Sequence, residues 1–164
     1  MQISIIAIGN KMPAWVNANC YEYFRRMPKD LSLKLIEVPA QKRSKKQSID
    51  AIRRMETQQL LAAVPERNNI VVLDERGQSI STRLLAKKIN DWQLDGRDVC
   101  LIVGGPDGID FSVLAQGRLG NSLGYEWRWS LSSLTFPHPL VRVIVAEQLY
   151  RAWSLSASHP YHRE

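Results

Sequence analysis

Apolar positions along this chain follow two rhythms, and the rhythms alternate. Residues 2–8, QISIIAI, are an almost unbroken apolar run that Gly9 ends, the pattern of a strand covered on both faces. Residues 13–26 place Trp15, Val16, Ala18, Tyr21 and Phe24 at helical spacing, with Pro13 suited to a first turn. Residues 31–38, LSLKLIEV, alternate and predict a second strand. The segment 48–63 predicts a helix with Ile49, Ile52, Leu60 and Leu61 on its inner face. NIVVLD at 69–74 predicts a third strand, and ERGQ after it a turn. Ser81 or Thr82 caps a helix to about Leu94, with Gly96 as its stop. DVCLIV at 98–103 is the fourth strand, and a short helix follows Asp110. A looser stretch, QGRLGNSLGYEW, precedes RWSLSSL at 128–134, which reads as a last strand or an extended loop. Pro137 and Pro139 introduce a long helix over about 139–153.

Strands that alternate with helices predict an α/β fold, a single-domain sandwich around a mostly parallel sheet. Its 164 residues suit one domain, with no internal repeat and no linker. Ligands of such sheets sit beyond the carboxyl ends of strands. Two strand ends qualify, Leu73-Asp74 and Gly104-Gly105. The second opens the loop GGPDG, which is neither common nucleotide signature. Pro106 stands two residues after Gly104, where the dinucleotide fingerprint needs its second glycine, and Gly108 is followed by Ile109 and Asp110 rather than Lys and Ser/Thr. Taken alone, the loop is a tight turn.

Charge adds a partner class. The net charge is +6, which favours an anionic partner such as RNA, DNA or acidic lipid without choosing among them. Lys42, Arg43, Lys45 and Lys46 concentrate part of that charge in the loop PAQKRSKKQS. Such a run is also what an ordinary solvated face looks like. Cys20 and Cys100 stand far apart, in a helix and a strand, and read as reduced core residues. His138, His159 and His162 have no HExxH partner or nearby cysteine, so no metal site is expected. The first residues lack a signal peptide's charged start, and no apolar run approaches the ~20 residues of a membrane span. A cytoplasmic protein with no membrane partner is the expectation.

Three stretches carry candidate chemistry. SLSSLTF at 130–136 is either an edge strand or a loop whose backbone hydrogen-bonds an adenine edge while Leu131, Leu134 and Phe136 pack on the ring. Arg142, between Val141 and Val143, needs an anion or a carboxylate partner in so apolar a setting. Glu147 and Arg151 are spaced as a surface ion pair. The tail SHPYHRE gathers histidines, a tyrosine and an arginine; such tails are usually frayed, but this composition also suits RNA.

At these residues the chain resembles a known family. LIVGGPDG, then SLSSLTFPHPLVRVIVAEQLYRAW, then HPYHRE look like the SPOUT-class methyltransferases, and among them the bacterial enzymes that methylate N3 of a pseudouridine in large-subunit ribosomal RNA. IAIGNKMPAWV, EYFRRMPKD and LIEVPAQKR are similar to the same family, so the resemblance spans nearly the whole chain. It implies a trefoil knot near the C-terminus, with S-adenosyl-L-methionine bound bent within it. By motif match the cofactor contacts fall on Leu73, Gly104 and Gly105, and on Leu131, Ser132, Ser133, Leu134, Thr135 and Phe136. It implies a homodimer in which one subunit's tail completes the other's site, and a 23S rRNA substrate presented by the assembled 70S ribosome. Loss of the weakly acidic N3 proton needs a base or stabilisation of the anion. Tyr161, His162 and Arg163 are the tail candidates, with Arg142 as an anion or phosphate clamp. The glycines at 104 and 105 are expected to let backbone approach the cofactor with no Cβ in the way. One departure is expected, extra residues within 116–129 beside the cofactor site. A SPOUT-like enzyme with another RNA target, such as a ribose 2′-hydroxyl, is the alternative. A non-catalytic ribosome- or RNA-binding module is a third reading.

Overall fold

The fold is seen in a computed structural model that describes residues 1–44, 47–116 and 125–161. Five strands form one sheet: β1 (Gln2–Ile8), β2 (Ser32–Val38), β3 (Asn69–Ser79), β4 (Val99–Val103) and β5 (Trp127–Ser130). Their order across the sheet is β2-β1-β4-β3-β5, and every described pairing is parallel. Five helices lie between and after them: α1 (Ala14–Phe24), α2 (Ile49–Ala62), α3 (Thr82–Asp95), α4 (Phe111–Ala115) and α5 (His138–Ser156).

Period-two alternation in the strands sorts the core onto two faces. Ile3, Ile5, Val71, Val99, Leu101 and Val103 point to one side, where Val16 and Cys20 of α1, Leu85 and Ile89 of α3, and Val145 and Leu149 of α5 cover them. Ile6, Ile8, Ile70, Val72, Cys100 and Ile102 point to the other, under Leu60 of α2 and Leu114 of α4. The sandwich is therefore α/β/α. Both cysteines are free and buried, and burial pushes the Cys20 thiol up to about 11.

Local chemistry sets the boundaries. Ser48 Oγ accepts from the Ala51 N–H (3.1 Å) at the start of α2. At α3 the cap is Ser81, whose Oγ accepts from the Leu84 N–H (3.2 Å). Gly96 ends α3 with φ +77°, a left-handed stop that glycine takes without strain.

Two expectations change. ERGQ is not a turn: β3 continues to Ser79, with a register shift between Leu73 and Gln78. Asp74 Oδ1 accepts from the Arg76 N–H (2.9 Å), which kinks the strand. Past the kink, Gly77 crosses so close to β5 that a Cβ there would lie 2.8 Å from the backbone of Arg128 and Trp129. The ambiguous stretch 128–134 divides, with β5 ending at Ser130 and a loop following. Lys45 and Lys46, His162 and Arg163, and most of the expected insertion (residues 117–124) lie outside the described residues. The strand order is compatible with the expected trefoil knot.

Candidate functional site

Because the strands are parallel, their carboxyl ends share one edge. There β3 ends its first run at Leu73, β4 at Val103 and β5 at Ser130, and a groove of about 310 Å³ opens between the segments that follow. Its lining includes Leu73, Gly104, Gly105, Leu131 and Ser132. Leu134, Thr135 and Phe136 complete its far side. Three separate stretches of sequence thus meet in one place, and eight of the nine expected cofactor residues line it. Ser133 is the exception: its exposed side chain is not part of the groove. The loop 131–136 is held by its own serines. Ser130 Oγ donates to the Ser132 carbonyl (3.0 Å), and Ser132 Oγ accepts from the Leu134 N–H (2.9 Å). This folding leaves Leu134 69% exposed at the groove.

The glycine loop is shaped from beneath. A Cβ on Gly105 would strike the Glu56 carboxylate of α2, which is buried. A Cβ on Gly104 would lie 2.9 Å from Ile109 Cδ1 and 3.0 Å from the Gly108 backbone. The protein's own packing therefore already leaves little room for a Cβ at either glycine, a constraint separate from the backbone approach to a ligand expected of them. Glu56 Oε1 also accepts from the Gln41 N–H (3.0 Å), and buried Thr57 Oγ1 accepts from the Asp110 N–H (2.9 Å). Gly108 turns the loop with φ +79°, and its N–H reaches back to the Gly105 carbonyl (2.9 Å).

Several groove residues escaped the sequence reading. Asp74, Glu75 and Asp107 bring carboxylates to the lining. Asp74 is paired with Arg128 (2.5 Å), whose guanidinium lies 4.1 Å from the centroid of the Phe111 ring. An arginine between two tryptophans in WRW needs a carboxylate for the reason Arg142 does, and that signal was present. His138 lines the groove at the start of α5. Burial, and then the Arg142 charge, lower its pKa, with a hydrogen bond to the Gly105 backbone working the other way. The imidazole is thus held neutral at pH 7.

Arg142 lies inside the fold. Its side chain is fully buried: Nη1 pairs with Glu37 Oε1 (2.6 Å), and Nη2 donates to the carbonyls of Ile8 (2.8 Å) and Gly9 (2.6 Å). The carboxylate partner foreseen for it is Glu37, and the guanidinium ties α5 to the ends of β1 and β2. Glu147 and Arg151 do pair (2.5 Å), and they also hold the tail. Tyr161 Oη donates to Glu147 Oε1 (3.3 Å), its ring lies 4.7 Å from Tyr150, and the Arg151 guanidinium sits over it. Burial, then hydrogen bonding to Tyr23 and the Glu147 charge, push the Tyr161 phenol up to about 12. Tyr150 is nine residues beyond Val141, the last α5 residue in the groove lining, which is about 13 Å of helix. Tyr161 is therefore remote from its own chain's groove.

Among the described residues no cluster of His, Cys, Asp and Glu is arranged for a metal, and no helix is long and apolar enough to cross a membrane. Comparison with known proteins agrees with the motif reading. A family model described as "Predicted SPOUT methyltransferase" matches residues 1–162. The chain is 49% identical to the "Ribosomal RNA large subunit methyltransferase H" of Hydrogenovibrio crunogenus and 50% identical to the protein of that name from Thioalkalivibrio sulfidiphilus. Each alignment runs over 164 residues and takes in all of both chains. Both relatives match this chain end to end, so any extra residues within 116–129 are not peculiar to it.

Proposed function

Since the chain belongs to the SPOUT methyltransferase family, we propose that it transfers a methyl group from S-adenosyl-L-methionine to N3 of a pseudouridine in 23S rRNA of the assembled 70S ribosome. The observation that carries this reading is the meeting of Leu73, Gly104–Gly105 and 131–136 in one groove at the carboxyl edge of the sheet. The whole chain acts as a single methyltransferase domain, a cytoplasmic homodimer.

The groove suits this cofactor. Leu131, Leu134 and Phe136 offer apolar faces to a purine, and the residues around Gly104 offer backbone polar groups. S-adenosyl-L-methionine carries two positive centres against one carboxylate and no phosphate. A lining with Asp74, Glu75 and Asp107 and, among the described residues, no Lys or Arg suits such a ligand better than a polyphosphate, which would find no cation there. That is the physical reason for a glycine loop lacking both phosphate signatures. When bound, the cofactor supplies an activated methyl group on a sulfonium, so the protein's work is orientation, water exclusion and proton management.

Proton management at N3 falls to the tail as a group, with Tyr161, His162 and Arg163 as its candidates. Tyr161 works there as a neutral phenol, because its proton is retained up to about pH 12. Its distance from its own groove supports a tail that serves the partner subunit's groove. Arg142 contributes by holding α5 against β1 and β2 and so setting the floor of the site.

The test is transfer of labelled methyl from S-adenosyl-L-methionine to 70S ribosomes, with free 23S rRNA alongside. The proposal expects label in large-subunit RNA from intact ribosomes. Label on a ribose of another RNA would replace the substrate, and cofactor binding without any transfer would contradict the proposal.

A further inference from the structure

Two arginines pair with the glycine loop and the start of α4, one of them through the groove-lining Asp107, in an arrangement that the methyl-transfer chemistry does not use. Arg43, in the loop after β2, forks onto Asp107 of the glycine loop, Nη2 to Oδ2 at 2.6 Å and Nη1 to Oδ1 at 3.5 Å. Arg54 of α2 places Nε 3.6 Å from Asp110 Oδ2 at the far end of the same loop. Both pairs are lopsided. The Asp107 and Asp110 side chains are only 12% and 14% exposed, while those of Arg43 and Arg54 are 51% and 64% exposed. Each carboxylate sits against the fold and each guanidinium faces outward. An exposed ion pair of this kind adds little stability. What it does is fix the direction of a guanidinium whose remaining N–H groups stay open, and guanidinium is the side chain best matched to phosphate oxygens.

The position of the pair gives the outward cations a use. Among the described residues the groove lining contains no Lys or Arg, its Asp74 and Asp107 are already paired with Arg128 and Arg43, and Glu75 adds a further carboxylate, so the groove offers a phosphodiester no cation while it can take an uncharged base. A nucleotide presenting its base to the groove must leave its phosphates on the rim. Arg43 and Arg54 are exposed cations held by Asp107 of the groove lining and by Asp110 just beyond it.

We propose that Arg43 and Arg54 form a phosphate-binding pair that receives the RNA backbone next to the target nucleotide, with Asp107 and Asp110 as positioning residues that aim them. This rests on the proposed ribosomal RNA substrate and adds where its backbone lies. Because Arg43 and Arg54 are anchored to the loop that lines the cofactor groove, the backbone and the cofactor are placed by one rigid element.

The experiment compares the wild-type homodimer with Arg43→Gln/Arg54→Gln and with Arg25→Gln/Arg97→Gln. The second variant loses the same charge at exposed pairs elsewhere, on Glu22 and Asp95. KM for 70S ribosomes at saturating S-adenosyl-L-methionine, cosedimentation with 70S ribosomes across a salt series, and calorimetric cofactor affinity are measured. The rim variant is expected to raise KM roughly ten-fold and to flatten the log-log salt slope by about two. Cofactor affinity should stay within about two-fold, a phosphate contact being separate from the cofactor groove. Arg43→Lys/Arg54→Lys should recover most of the salt slope and less of the KM, since lysine keeps the charge and loses the fork. A rim variant that matches the control in KM and slope overturns the proposal. So does one that loses cofactor affinity while its ribosome binding is unchanged, because the arginines would then only brace the loop. Cosedimentation does not depend on transfer, so ribosome binding that ignores Arg43 and Arg54 is distinguishable from a failed methylation assay.

Discussion

Gly105 has no space for a methyl group, because the buried Glu56 carboxylate occupies it. Gly105→Ala must therefore displace either the glycine loop or the buried Glu56 carboxylate. Overpacking of this kind costs about 1–3 kcal/mol. The variant should lose at least ten-fold in cofactor affinity by calorimetry, and adding Glu56→Ala should restore part of it. Equal affinity in Gly105→Ala would show that the loop tolerates a Cβ. His138 makes a second residue-scale prediction. Its folded pKa is lowered by burial and by Arg142, so below about pH 6.5 the unfolded chain takes up a proton that the folded chain resists. Stability should fall as pH drops through that window, and His138→Gln should lack this component in melts recorded from pH 7.5 to 5. Tyr161 has the opposite sign. A phenol raised to about 12 contributes stability that is complete below its unfolded value and lost as pH rises through the folded one. An ultraviolet absorbance titration should show one tyrosine of high pKa that disappears in Tyr161→Phe.

At the scale of elements, α2 carries a load that its sequence pattern hid. Its inward positions include not only Ile52 and Leu60 but Glu56, which packs under Gly105 and accepts from Gln41, and Thr57, which accepts from the Asp110 N–H. Thr57→Val leaves the Asp110 N–H without its acceptor, a cost of about 1–3 kcal/mol, and should weaken cofactor binding along with stability. Ser81→Ala, which removes the α3 cap, should cost about 1 kcal/mol and leave cofactor affinity unchanged. Thermal melts and calorimetry on the two variants separate a site brace from a plain cap. Most strands were legible as near-continuous apolar runs because both faces of a parallel sheet are covered, and Ser81 and Gly96 were legible because caps are local. The extension of β3 was not. It depends on Asp74 turning back on Arg76 and on Gly77 passing beside β5, contacts that exist only once β5 is in place.

At the scale of the whole molecule, parallel strands put every carboxyl end on one edge, and this made Leu73 and Gly104 recognisable as parts of one site. The fate of Arg142 was harder to read. A lone arginine in an apolar stretch signals a partner without saying which, and only the fold brings Glu37 and two carbonyls of the β1 end to it. Arg142→Met should cost about 3 kcal/mol, the low end for breaking a buried pair, since Glu37 keeps a quarter of its exposure. The tail belongs to this scale too. Truncation before His159 should leave cofactor binding intact and abolish transfer. Mixing the truncated chain with a Gly105→Ala chain should recover activity if tail and groove are shared between subunits.

The most direct measurement is the position of the methyl group itself. Ribosomes lacking the modification are incubated with the protein and methyl-labelled S-adenosyl-L-methionine, and the labelled 23S rRNA fragment is sequenced by mass spectrometry. The account predicts one labelled nucleotide, a pseudouridine carrying the methyl on N3, formed in 70S ribosomes. Label elsewhere, or none from a protein that binds the cofactor, would contradict it.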